Sequence, residues 1–203
     1  MLDIFMFRKI HPIFQIDHPF IDNDSVLMHK VLTPYRSKQC EYLKSSRLQK
    51  NKDLFIGQGQ FSISTSCYIE DTGHFNSVEF NICYNQLFYY IFAKSIKENL
   101  LDELSHWNLA DYWHNQLPNI LITHFSSKFK QPINSQHFSG EIIFTRIKQR
   151  KVQSNPALFI QTTARFWDNA NGYSEGNVNL MVIKHPHEID IEIENNNEIL
   201  EEL

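Results

Sequence analysis

The sequence predicts an α+β domain in which one antiparallel sheet curls around a single buried helix. Two observations carry this. Over residues 76–94, Phe80, Cys83, Leu87 and Ile91 recur at helical spacing beside a second stripe of Tyr84, Phe88 and Phe92. A helix apolar on nearly every face belongs inside a protein, not on its surface. After Pro118 the hydrophobic period changes to two and stays there through 118–129, 138–149, 157–167 and 175–184, the pattern of half-buried strands. A single sheet buries such a helix only by wrapping it, which is the hot-dog arrangement. The alternative is an α+β roll with the helix packed at one edge.

Each element follows from local pattern. Residues 1–22 are mixed and lack a clear period, so they are set apart as an N-terminal segment. From Asn23, "NDSVLMHKVLTPY" has the apolar spacing of a short helix, with Asp24 or Ser25 as cap and Pro34 as terminator. Residues 36–53 are basic and polar and suggest a loop or a second helical turn. "GQFSISTSCYIED" (59–71) alternates, which predicts a strand, and "DTG" is its turn. Lys94, Lys97 and Glu98 mark where the buried helix emerges into water, and 101–117 suggests a further short helix or wrapped loop. The turns at 132–134, 155–156 and 168–172 are rich in Pro, Asn and Gly, and the last two are short enough to make antiparallel hairpins. One domain over 23–185 is expected, followed by an acidic tail, 186–203, solvated or partly helical.

Bulk properties narrow the function. The 203 residues are 42% hydrophobic and 13% aromatic with net charge −4, which suits one soluble domain with a large core or a wide greasy pocket. Nothing draws such a chain to nucleic acid or a membrane surface. The opening residues lack signal-peptide features, and no uncharged run reaches the ~20 residues of a membrane span. Cys40, Cys67 and Cys83 show no C-x-x-C spacing, which argues against a disulfide framework or zinc site and for a reducing cytoplasm. "HPH" at 185–187 has no third ligand at characteristic spacing and is expected to be a solvated loop. P-loop, dinucleotide-binding, zincin and nucleophile-elbow motifs are missing.

The chemistry must therefore come from polar groups embedded in the apolar helix and its approach. Asn76 stands where the helix should begin and Glu79 three residues on, the spacing of a capping box. The same helix terminus could face a thioester carbonyl, with its N–H groups and dipole stabilising an oxyanion and His74 and Glu79 carrying protons. The two readings are compatible. Asn85 either ties the helix to a strand or lines a polar slot in an apolar tunnel, since a buried amide must find partners. Tyr68 and Tyr35 serve either as packing or as donors to a carbonyl.

At this point the residues resemble a known family. "VLTPYRSKQCEYL" (31–43), "GQFSISTSCYIEDTGHFNSVEFNICYNQLFYYIFA" (59–93), "SSKFKQPINSQHFSG" (126–140) and "FWD" (166–168) are similar, in the same order, to the FcoT-like family of hot-dog proteins. The resemblance spans residues 24–184 and is most specific in T-G-H-F-N-x-V-E followed by C-Y-N-Q-L. It implies a long-chain acyl thioester substrate and one of two activities. Some members are fatty acyl-CoA thioesterases. Those of isonitrile lipopeptide pathways are (2E)-enoyl-[acyl-carrier-protein] glycyltransferases, which add glycine to an enoyl thioester and give a (3R)-3-[(carboxymethyl)amino]acyl-carrier protein. Motif by motif, it implies that Tyr35, Tyr68, Asn76 and Asn85 are the polar pocket residues, with His74 and Glu79 also matching. Cys67 departs from the smaller residue the family has before the strand tyrosine.

The glycyltransferase activity is the first expectation, thioesterase the second, and a non-catalytic acyl-binding protein the third. Catalytic roles are expected for His74, Glu79, Asn76 and Tyr68, and substrate binding for Tyr35 and Asn85. No metal or cofactor is expected beyond the phosphopantetheine that carries the acyl group. Acyl carrier protein, glycine and at least one further copy of the chain are the expected partners. Glycine's carboxylate calls for a cation, and Arg165, Lys128 and Lys130 are the candidates.

Overall fold

The computed structural model describes residues 20–51, 54–70, 72–152 and 155–183. The N-terminal segment to residue 19, the acidic tail and the "HPH" at 185–187 lie outside them. Two short helices, α1 (Ser25–Val31) and α2 (Thr33–Arg36), precede strands β1 (Leu43–Asn51) and β2 (Leu54–Phe61). The long helix α3 (Ser77–Lys97) follows. After a 3₁₀ turn, Asp102–Leu104, and α4 (Leu109–Asn115) come β3 (Ile120–Gln131), β4 (Phe138–Val152), β5 (Asn155–Trp167) and β6 (Tyr173–Ile183). All strands pair antiparallel in one six-stranded sheet of order β1-β2-β4-β5-β6-β3.

The sheet wraps α3 as a hot-dog fold, not as a roll with the helix at its edge. Near its start, Phe80 stacks edge-on against Phe125 of β3 and Phe166 of β5. One turn on, Tyr84 donates to Thr162 Oγ1 of β5 at 2.7 Å, and Thr162 donates to the Val178 carbonyl of β6 at 2.9 Å. Phe88 then stacks on Phe144 of β4, and Ile91 lies against Gly57 of β2 so closely that a Cβ there would collide with it. The helix thus meets β3, β5, β4 and β2 in turn along its length.

Two sequence expectations are corrected. Residues 36–53 do not form only a loop: 43–51 are β1, an edge strand with a register shift between Leu43 and Ser45. The shift breaks the period of two, and the strand's two hydrophobic residues, Leu43 and Leu48, both turn into the core from positions five apart, so alternation is hidden. Conversely, the strand expected over 59–71 ends at Phe61. Beyond it the chain leaves the sheet, and Tyr42 holds the irregular stretch by donating from its hydroxyl to the Thr65 carbonyl (3.2 Å) and accepting from the Cys67 amide (3.0 Å). Backbone groups that a ladder would have satisfied are met by a side chain instead. α1 is capped by Asp24 as expected, but it stops at Val31, and Pro34 sits inside α2 at its tolerated first turn.

Candidate active site

The site is built on the N-terminus of α3. Gly73 takes φ +73° in the turn before it, the left-handed region that glycine enters without a Cβ penalty. His74 follows, exposed, with Nδ1 3.0 Å from the Thr72 carbonyl. A carbonyl only accepts, so Nδ1 carries the proton, and in the neutral ring it is Nε2 that keeps the lone pair able to take one. Asn76 closes the turn as N-cap. Its Oδ1 accepts from the amides of Val78 (3.0 Å) and Glu79 (3.3 Å), and the Glu79 carboxylate accepts from the Asn76 amide (3.2 Å). This is the reciprocal capping box expected from spacing.

The cap also orients chemistry. Two backbone donors fix which end of the Asn76 amide is oxygen, and the Tyr68 hydroxyl donates to the same Oδ1 at 2.8 Å. Asn76 Nδ2 therefore points away from the helix as a donor at its positive end. Glu79 is buried, at 2% exposure, with one oxygen held by the cap. Asn76 shares a surface hollow of about 420 Å³ with His74, Phe75, Ser77 and the β3 end Phe129–Gln131, closed by Pro132. Such a concavity joins a proton acceptor, an amide donor and an apolar wall.

A sequence profile described as an FcoT-like thioesterase domain matches residues 30–182. The chain belongs to that family. A (2E)-enoyl-[ACP] glycyltransferase of Streptomyces coeruleorubidus is 42% identical over 164 residues, 80% of this chain and 99% of the relative. Another of that name, from Mycobacterium marinum, is 37% identical over 79% of this chain and 86% of its own length. A solved thioesterase variant from Pseudomonas aeruginosa aligns with TM-score 0.36 and 6% identity, covering 79% of this chain and 94% of its own.

The residues implied by the FcoT-like resemblance fall into two groups. Tyr68, Asn76 and Glu79 are joined by the hydrogen bonds above, and His74 shares the hollow with Asn76. Tyr35 and Asn85 lie apart, along the flank of α3. Asn85 donates to Asn81 at 3.3 Å, one turn back on a half-buried stripe. Tyr35 packs beside Tyr89, Cys40 and Cys83, and burial drives its hydroxyl well above the ordinary phenol range. Cys83 links the groups, because it feels the Glu79 carboxylate; its thiol is raised first by burial and then by that charge. All three cysteines are free thiols. Burial, followed by the nearby Cys67, pushes Cys40 up to about 11, so Cys40 and Cys83 are poor nucleophiles at neutral pH.

The three cations expected as carboxylate anchors separate clearly. Arg165 is buried and lies 2.6 Å from Glu141; because Glu141 Oε1 has no well-aligned donor, the contact is an ion pair, not a directed hydrogen bond. Lys128 pairs opposite Glu175 in the ladder. Lys130 alone lines the hollow. Of the two readings open for Asn85, the tie from helix to strand is made by Gln86 instead: its Oε1 accepts from the amides of Tyr42 and Leu43, both at 2.9 Å, and its Nε2 donates to the Cys40 carbonyl at 2.5 Å. The missed signal was phase, since Gln86 sits between two core stripes and Asn85 does not. Among the described residues, no group of three His, Cys, Asp or Glu could hold a metal, and no helix is long and apolar enough to cross a membrane.

Proposed function

We propose that this chain adds glycine to a (2E)-enoyl thioester carried on acyl carrier protein, giving a (3R)-3-[(carboxymethyl)amino]acyl-carrier protein. One observation carries the reading: 42% identity spanning 99% of a relative named (2E)-enoyl-[ACP] glycyltransferase. The site's geometry is compatible with that chemistry. The glycine nitrogen forms a bond to the β-carbon while the double-bond electrons move through the α-carbon onto the thioester oxygen. His74 Nε2 takes the proton lost by the nitrogen. Asn76 Nδ2 and the helix dipole stabilise the negative oxygen, and Tyr68 holds Asn76 in that pose. The enolate then collapses with protonation at the α-carbon, so one hydrogen has moved from nitrogen to carbon and nothing leaves. Glu79 keeps the cap rigid and is the second group able to relay that proton. Tyr35 and Asn85 supply polar contacts where the acyl chain runs along α3. The reaction needs no redox or metal cofactor beyond the carrier's phosphopantetheine, and its setting is the cytoplasm.

The family description favours thioester hydrolysis as the second reading; water would then occupy the glycine position. Incubation with a (2E)-enoyl-carrier protein and glycine, followed by intact mass measurement, decides. A mass gain of one glycine on the carrier supports addition, release of free enoic acid supports hydrolysis, and no turnover leaves an acyl-binding protein. We further place the chain in a homodimer or higher assembly joined along β3, the edge strand where Leu121, Ile122 and Phe129 are exposed. A single species of monomer mass in light scattering would oppose that assembly.

A further inference from the structure

We propose that Lys130 is the residue that binds the carboxylate of the incoming amino acid and so selects glycine over uncharged amines. The inference rests on the glycine-addition reading above. The hollow beside Asn76 has one Lys or Arg among its lining residues, Lys130, and no Asp or Glu. His74 lines the same hollow. A small amino acid held there presents its two ends to different groups: nitrogen to the imidazole, carboxylate to the ammonium.

Lys130 already holds a carboxylate. Its Nζ lies 2.6 Å from Glu175 Oε1, and both side chains are well exposed, at 45% and 38%. An exposed pair of this kind is worth little net free energy, so exchange of one carboxylate for another is cheap. Glu175 would not be stranded, because the Tyr173 hydroxyl donates to its other oxygen at 3.1 Å and Lys128 also stabilises its charge. Glu175 thus acts as a resident surrogate that parks Lys130 at the rim until substrate arrives. The other expected anchor, Arg165, is committed to Glu141 and almost fully buried, at 5% exposure.

The test compares glycine with glycinamide, which keeps the amine and lacks the charged carboxylate, using the full chain and an enoyl-carrier protein. Lys130→Met should raise KM for glycine roughly ten- to hundredfold, the range of one charge-assisted hydrogen bond, while KM for the enoyl-carrier protein stays put. Rates with glycinamide should be alike for wild type and variant, Lys130→Arg should recover most of the glycine affinity, and Glu175→Gln should lower KM for glycine. An unchanged KM for glycine in Lys130→Met, or wild type using glycinamide as readily as glycine, overturns the assignment of Lys130 alone. A wild-type chain that adds no glycine overturns the glycine-addition reading itself, and this inference with it.

Discussion

At the scale of single residues, Asn76 does two jobs that chemistry can separate. Its oxygen caps α3, and its amide nitrogen, free of the cap, is the donor proposed to act in the hollow that Asn76 lines. Asn76→Asp keeps an oxygen for the Val78 and Glu79 amides and removes the donor. The expected result is a folded protein, seen by unchanged circular dichroism, with kcat reduced about 10²- to 10³-fold, as for the loss of one oxyanion donor. Asn76→Ala removes both functions and should cost about 1 kcal/mol of stability besides. The capping box was legible from Asn76 and Glu79 because its spacing is fixed by one helical turn. That Tyr68 would reach Asn76 was not legible, since the chain between them follows no regular period.

At the scale of elements, α3 is tied at its middle and at its C-terminal end by polar groups of different kinds. Near its middle, Gln86 satisfies two buried amides at the start of β1. Gln86→Leu fits the space but strands those donors, and urea unfolding should show a loss of about 1–3 kcal/mol for each group left unsatisfied. Near its end, Lys97 and Lys94 pair with Asp24, the cap of α1. The hydrogen bond from Lys97, with the Leu27 amide next, holds the Asp24 carboxyl below its ordinary value. A depressed carboxyl stabilises the fold fully above its unfolded pKa and loses that contribution as pH falls through the folded one. Asp24→Asn preserves the cap and deletes the charge, so it should lower Tm at neutral pH. The gap from wild type should close in strong acid, where Asp24 is protonated in both states. Gly57→Ala tests the closeness of α3 to β2; collision with Ile91 should lower Tm as overpacking does.

At the scale of the whole molecule, the sheet encloses α3 so that Phe80, Leu87, Phe88 and Ile91 are fully buried. Helix amides should therefore exchange with solvent only through global unfolding, while those of 62–70 should exchange through local opening; hydrogen-exchange mass spectrometry measures both. The sequence by itself determined the enclosed helix, its cap and the four strands after Pro118, because burial and helical or two-residue period are local properties of the chain. Only the tertiary structure decided that 43–51 is an edge strand, that 62–70 leaves the sheet, and which cation faces the hollow. Each of those depends on partners far away in sequence: Tyr42 replacing a ladder, Glu141 claiming Arg165, and the end of β3 brought against the mouth of α3. No periodicity encodes such meetings, since they arise when the sheet curls and brings distant segments to the same corner.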